Sequence, residues 1–334
     1  MRALWIGLMA AALLPAAKTM DVYFVDVEGG QATLIVSPSG QSMMVDAGWP
    51  GFNGRDAERI LAAERLAGVK QIDYFLATHY HTDHIGGVPQ LAAKVPILTF
   101  VDHGPSVESG KNADALFASY REVRDKGKHL VVKPGDRIQI KGLEVTVLTS
   151  GGDRIAAPLK GAGAANPLCT TSKPRAEDKS ENARSVGTLI TYGKFRMIDL
   201  GDLTWNKELD LVCPANLIGT ADVYLTTHHG MDMSGPQQIV HALRPRVAIM
   251  NNGAKKGGSV PAWQVVRSSP GLEDFWQSHF ALAGGKDNNS AEELIANPEE
   301  NCQGHWIKLS AHSNGEFSVT NGRNNFSKTY RAKK

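Results

Sequence analysis

The stretch DYFLATHYHTDHIGG, residues 73–87, sets the terms for the rest of the chain. Its first half is apolar: Tyr74, Phe75, Leu76 and Ala77 read as a buried strand. The run then stops, and His79, His81, Asp83 and His84 follow within six positions. A connection built only to turn uses Gly, Pro, Asn and Ser, so imidazoles at this density imply chemistry. His79 and His81 are two apart on extended chain, which aims both side chains the same way, toward one metal ion. Asp83 and His84 come after the chain turns and face a second ion. Gly86 and Gly87 remove side chains where backbone must pass close and a helix begins. Imidazole plus carboxylate without thiolate suits zinc at a catalytic centre, because structural zinc sites are Cys-rich.

On either side of this cluster, strand and helix patterns come in blocks. DVYFVDV, ATLIVSP and SMMVDAG predict an antiparallel meander, and GRDAERILAAERLAGV spaces Ile60, Leu61, Leu66 and Val69 as an amphipathic helix. A helix near VPQLAAKV, the strand ILTFVDHG and a charged helix in NADALFASYREVRDKG come next, then the strands KHLVVK and LEVTVLT. Residues 150–181 break the pattern and predict a long surface loop, rich in Gly, Ala, Pro and Lys. Strands resume at VGTLITY, KFRMIDLGD and ADVYLTTHHG, followed by a helix near PQQIVHAL and the strand RVAIMNNG. The last part predicts helices in LEDFWQSHFAL and SAEELIA, strands in GHWIKLSA and GEFSVTNG, and a solvated basic tail in GRNNFSKTYRAKK. Strand runs in both halves predict an α/β (α+β) fold with two mixed β-sheets face to face and helices on the outer faces.

The chain has 334 residues, 42% of them hydrophobic, and a formal charge of +2, so composition demands neither nucleic acid nor an acidic membrane as partner. The N-terminus MRALWIGLMAAALLPAAKTM has one early positive charge, an apolar run and Pro15-Ala16-Ala17. That layout predicts a signal peptide over 1–17, cleavage near Ala17, and a secreted or periplasmic domain over 20–334. In it, 253–334 would complete or cap the domain. No other segment is long and apolar enough to span a bilayer. Of three cysteines, Cys169 and Cys302 are the conceivable bridge, and Cys213 in LDLVCPANL reads as an inert buried thiol.

THYHTDHIGG resembles the HxHxDH signature of the metallo-β-lactamase-fold hydrolases, and the resemblance extends over most of the mature chain. DVYFVDVEGGQATLIVSPSGQSMMVDAG is similar to the opening of the ComEC-like subgroup, the C-terminal domain of competence proteins. Glu28, Gly29, Gly30 and Gln31 replace the middle of that subgroup's DVGQGDA box. The resemblance implies an αββα sandwich with two zinc ions; manganese and iron are the other metals such a donor set admits. It makes Asp46 a support of the metal-binding loop and Asp202, in FRMIDLGDLTW, the bridging carboxylate. His228 and His229 resemble an HHGS element in which Met231 replaces the first Ser and Ser234 matches a second. Since adjacent strand residues face opposite ways, one of the two histidines ligates directly, and which one stays open.

Many members carry a further ligating histidine before the bridging aspartate. Here that interval holds only His103 and His129. His129 reads as exposed, while His103 ends a strand beside the metal strand. The ComEC-like subgroup uses an Asn with a nearby Ser, and Asn182 and Ser185 match that arrangement. Lys255 and Lys256 follow a strand end and are candidates to meet an anionic substrate. The implied function is a hydrolase using a metal-bound hydroxide, with Asp83 holding or relaying the proton, on a phosphoester or phosphodiester. A lactonase or other ester or amide hydrolase is the alternative within that chemistry. A non-catalytic metal- or ligand-binding module is the alternative outside it. Oligomeric state has no signature in the sequence.

Overall fold

The computed structural model describes residues 18–333, so the signal-peptide segment lies outside the described residues. Two sheets form. The first is built from β1 (Met20–Phe24), β2 (Thr33–Val36), β3 (Ser42–Val45), β4 (Ile72–Leu76), β5 (Ile97–Asp102) and β6 (Lys128–Val131). Its other edge is β16 (Ile307–Ala311), β17 (Phe317–Asn321) and β18 (Ser327–Tyr330), in the order β18-β17-β16-β1-β2-β3-β4-β5-β6.

The second sheet contains β7 (Arg137–Ile138), β8 (Glu144–Ser150), β10 (Gly187–Tyr192), β11 (Phe195–Asp199), β12 (Val223–Leu225), β13 (Val247–Met250), β14 (Asp274–His279) and β15 (Ile295–Asn297). Its order is β15-β14-β13-β12-β11-β10-β8-β7, with β9 (Asp153–Arg154) paired to β8. The predicted meander is present, since β1–β2 and β2–β3 pair antiparallel. Both sheets are mixed. β3–β4–β5–β6 run parallel in the first, and β11 through β15 run parallel in the second.

Alternation along the strands explains the layering. Val22, Phe24, Val45 and Leu76 of the first sheet meet Val145, Ile190, Met197, Val223 and Trp276 of the second in one apolar cluster. The opposite faces need covers. Leu34, Met44, Phe75 and Phe100 pack with Ile60, Leu91 and Tyr120. These come from α1 (Arg55–Ala67), α3 (Val88–Ala92) and α4 (Lys111–Arg124). On the far side Ile198, Tyr224 and Ala248 pack with Leu211, Val212, Ile239, Val240 and Val266. Those belong to α5 (Trp205–Val212), α6 (Gln237–Leu243) and α7 (Val260–Arg267). The result is the predicted sandwich with helices outside.

Several local expectations are corrected. LEDFWQSHFAL is not a helix: β14 runs through it, because Phe275 and Trp276 are claimed by opposite faces of a sheet buried on both sides. SAEELIA gives a 3-10 turn, Glu292–Leu294, and then β15. The basic tail is a strand. In β18 Tyr330 is buried, stacks on Phe317 with centroids 4.7 Å apart, and accepts a hydrogen bond from Trp276 Nε1 at 3.0 Å. The 150–181 loop carries β9 and two 3-10 turns, Pro167–Thr171 and Glu181–Arg184. It is tied to the α5 end by a Cys169–Cys213 disulfide with Cα atoms 5.6 Å apart, while Cys302 is free. The expected Cys169–Cys302 pairing and the inert Cys213 are both overturned, because α5 brings Cys213 under the loop.

Candidate metal centre

Parallel strands from both sheets deliver their C-terminal ends to one place. β3 leads to Asp46, β4 leads to His79, β11 leads to Asp202, and β12 leads to His228 and His229. Asp46 has a left-handed backbone, φ 57°, which turns its carboxylate over the start of the metal loop. Its Oδ1 accepts from Thr78 N at 2.8 Å and its Oδ2 from Thr78 Oγ1 at 2.6 Å. Oδ2 also pairs with His84 Nδ1 at 2.6 Å, which fixes that ring with Nε2 pointing inward. Gly87 lies so close to Ala47 that a Cβ there would overlap its carbonyl oxygen, so the loop needs a residue without a side chain at that crossing.

Asp83, in the short α2 (Thr82–Ile85), joins His84, Asp202 and His229 in a buried group whose ligand atoms all lie within 4.8 Å of one another. His84 Nε2 is 3.2 Å from Asp202 Oδ2 and 3.3 Å from Asp83 Oδ2. His229 Nε2 is 3.2 Å from Asp83 Oδ2 and 3.3 Å from Asp202 Oδ2. His228 Nε2 also stands 3.3 Å from Asp202 Oδ2, and His79 Nε2 stands 4.0 Å from it.

The alternation argument for the histidine pair therefore fails. The two residues are not on a strand. β12 stops at Leu225, and both occupy a 3-10 turn, Thr227–Gly230, with φ 55° each. Two successive left-handed residues swing both imidazoles to Asp202. Ser234 Oγ holds His228 Nδ1 at 3.3 Å while donating to Leu203 O at 2.7 Å.

His81 is placed differently from its neighbours. It is partly exposed, its ring centroid is 4.7 Å from that of His79, and its Nε2 pairs with Glu108 Oε1 at 2.9 Å. A cavity of about 460 Å³ opens there, lined by His81, Glu108, Lys111 and Asn112. His103 does not reach the cluster: its Nε2 pairs with Glu181 Oε2 at 2.9 Å. Asn182 and Ser185 are buried in and just after the adjoining 3-10 turn, and Asn182 Oδ1 and Ser185 Oγ have no protein partner. Val186 N, the next residue, donates to Thr78 O at 2.8 Å and so ties this turn to the root of the metal loop. His129, expected to be exposed, is only partly so and pairs with Asp102 Oδ1 at 2.8 Å. Lys255 points away and pairs with exposed Glu300, whereas Lys256 Nζ contacts Asp83 Oδ2 and lies 4.8 Å from the Trp49 ring centroid.

Two supporting residues had no signal in the sequence. Glu181, fully buried, accepts from Val107 N at 2.7 Å and Tyr80 N at 3.2 Å, joining the metal loop to the 104–111 loop. Gln31 donates its side chain to Asp199 Oδ2 at 2.8 Å and its backbone N–H to Asp83 O at 3.1 Å. Burial pushes the Asp199 carboxyl up to about 6.

Electrostatics match a cation site. Burial alone would raise Asp83 and Asp202, yet His84 and His229 hold both carboxyls well below the usual range. Burial pulls His84 down, but Asp202, Asp83 and Asp46 outweigh it and raise the ring well above its ordinary value. His79 and His228 are pushed down, first by burial, His228 to about 4, so they stay neutral and able to ligate. The donor set is nitrogen and oxygen only. His79 Nε2 and Asp202 Oδ1 are buried without a protein partner. Such orphans facing a carboxylate–imidazole cluster fit a resident divalent metal.

The metallo-beta-lactamase superfamily profile matches residues 25–163. ComE operon protein 3 of Bacillus subtilis (strain 168) is 28% identical over 188 residues, 56% of this chain and 20% of that protein. A hydroxyacylglutathione hydrolase of Klebsiella pneumoniae is 35% identical over 95 residues, 27% of this chain and 31% of that protein. The chain thus spans between a fifth and a third of the curated relatives it matches. Among solved structures, Zn(2+)-bound PqqB from Methylobacterium extorquens shares 15% identity at a TM-score of 0.40, covering 66% of this chain and 75% of that one. The superfamily profile begins just after β1 and takes in β2, β3 and the whole HxHxDH loop, so it is residues 25–163 that match the metallo-beta-lactamase superfamily.

Proposed function

We propose that this chain is an exported zinc hydrolase, holding two ions, that acts on phosphoester or phosphodiester bonds. One observation carries the reading: His79 Nε2 and Asp202 Oδ1, buried and unpartnered, face the group Asp83, His84, His228 and His229. Zinc among these residues would supply a Lewis acid and bring the pKa of a water toward about 7. His79, His84, His228, His229, Asp83 and Asp202 are the residues to hold it, with His81 recruited once it leaves Glu108. Asp83, among these residues, would hold that water and relay its proton. Lys256 is a cation already at Asp83, which favours a substrate with negative charge beside the bond to be cut. The Cys169–Cys213 disulfide supports an oxidising compartment and hence export.

A second reading is an ester or thioester hydrolase, favoured by the partial match to hydroxyacylglutathione hydrolase. Metal analysis and a hydrolysis screen decide between them, using bis-p-nitrophenyl phosphate, p-nitrophenyl phosphate, single-stranded DNA, a lactone and an acyl thioester. The expected result is about two zinc equivalents at this centre, read as those that Asp202→Ala loses, and turnover of a phosphate substrate, lost in Asp202→Ala and His81→Ala with circular dichroism unchanged. Less than one equivalent and no turnover of any substrate sinks the hydrolase reading. Thioester turnover alone transfers it to the second. Lys256→Met should raise KM for the phosphate substrate about tenfold with zinc content unchanged, the scale of one lost charge-assisted contact. An unaltered KM removes Lys256 from substrate binding.

A further inference from the structure

A second constellation of metal-ligating side chains lies apart from the histidine–aspartate centre. Asp26 follows β1 of the first sheet, His279 ends β14 of the second, and Cys302 sits in the connection from β15 to β16. Asp26 and His279 are buried, and Cys302 is half-buried at the mouth of a cleft of about 330 Å³. Their ligand atoms all lie within 4.8 Å of one another. Asp26 Oδ1 is 2.7 Å from His279 Nε2, Cys302 Sγ is 3.2 Å from Asp26 Oδ2, and Sγ is 3.9 Å from His279 Nε2. Bond lengths of about 2.0 Å to N and O and 2.3 Å to S give a zinc tetrahedron edges of roughly 3.3–3.5 Å. The three observed separations straddle that value. Glu28 Oε1 lies 3.9 Å from Sγ, outside the group of three, and is the carboxylate available to close on it as a fourth donor.

We infer that Asp26, His279 and Cys302, with Glu28 drawn in as a fourth donor on binding, form a separate binding site for one zinc-like divalent metal ion. Three donor types converge from three chain segments that nothing else in the proposed chemistry uses. The charges suit a thiophilic dication. Two carboxylates and a thiolate bring three negative charges, and the flanking guanidinium of Arg59 takes up the excess, 2.9 Å from Asp26 Oδ2 and 3.4 Å from Sγ. Arg55, 2.9 Å from Glu28 Oε2, anchors the fourth donor. The ion would join both sheets to the Cys302 connection. It would also brace Glu28, whose loop packs on Gly253 and Lys256 beside the main centre. The competing arrangement is a metal-free ion-pair network in which Arg59, Arg55 and His279 are the counter-ions.

Cobalt(II) separates the two, since only this site offers sulfur and Cys302 is the one free thiol of the three cysteines. The full chain, purified without reductant and loaded with cobalt, should show a near-ultraviolet thiolate-to-cobalt charge-transfer band. Cys302→Ser should lose the band and one metal equivalent while keeping the visible absorption of cobalt bound by histidine and aspartate. His279→Gln, which keeps the thiol, should need at least about tenfold more cobalt to develop the band. Zinc should slow the reaction of Cys302 with a disulfide reagent, and a chelator should restore it. No band in the wild-type chain, or the same metal content in Cys302→Ser, overturns the site and leaves the ion-pair network with Arg59, Arg55 and His279 as its counter-ions. Hydrolytic activity does not enter either readout, so failure here leaves the proposed function standing.

Discussion

At the scale of single residues, the side chains behind the ligands decide whether the centre works. Asp46 touches no candidate metal position, yet it holds His84 Nδ1, Thr78 N and Thr78 Oγ1 at once. Its removal frees the His84 ring to rotate and takes one negative charge from beside it. Asp46→Ala should therefore weaken zinc binding about 10–100-fold, as measured by competition with a chromophoric chelator. Zinc affinity unchanged in that variant would reduce Asp46 to a turn residue. The sequence already identified the His79, Asp83 and His84 loop and Asp202, because the chemistry of donors at short spacing is local. It placed His228 and His229 on a strand, whereas the left-handed turn that aims both is set by what surrounds it: Gly230 against Met250 and Gly257 against the His229 carbonyl. Glu181 and Gln31 were invisible for the same reason, since their partners lie in distant segments.

At the scale of elements, the loop over 150–181 and helix α5 behave as one unit. The disulfide closes a separation of 44 residues, for which loop-closure entropy gives about 4 kcal/mol. Cys213→Ser should lower the midpoint of urea unfolding accordingly, and thiol reductant should bring the wild-type protein to the same value. If reductant leaves the midpoint in place, the bridge carries no stability. Helix α5 also holds Glu208, fully buried, which accepts from Gly235 N at 2.6 Å. Burial pushes its carboxyl up to about 8 from 4.5. A folded-state value above the unfolded one makes its contribution full below about pH 4.5. That contribution is lost as the pH rises toward about 8. Glu208→Gln should therefore gain on the wild type, on the order of a few kcal/mol, between pH 5 and pH 8 in paired urea titrations. Parallel pH profiles for the two proteins would contradict this.

At the scale of the whole molecule, the centre exists only where two sheets meet. Asp46 and the 79–84 loop come from the first sheet, Asp202 and His228–His229 from the second. A metal joining them binds the folded state alone, so stability should follow metal concentration by mass action. Zinc at a hundredfold excess over its dissociation constant adds about 2.7 kcal/mol. That corresponds to a rise of a few degrees in Tm by calorimetry, reversed by a chelator. A Tm indifferent to zinc and chelator would mean that the cluster holds no metal.

The sequence by itself determined the layered sandwich, the meander and the HxHxDH loop, since each rests on local periodicity or on donor spacing within a few residues. It misread β14 as a helix and β18 as a tail. A strand buried on both faces carries no alternation, and a short edge strand flanked by Lys and Arg looks like a solvated end. Tertiary structure alone decided which cysteines pair, which lysine meets Asp83, that both histidines of the pair face Asp202, and that Asp26, His279 and Cys302 converge. Each of those depends on contacts between segments tens to hundreds of residues apart, where a side chain's partner is set by the packing of two sheets and not by its neighbours in the chain.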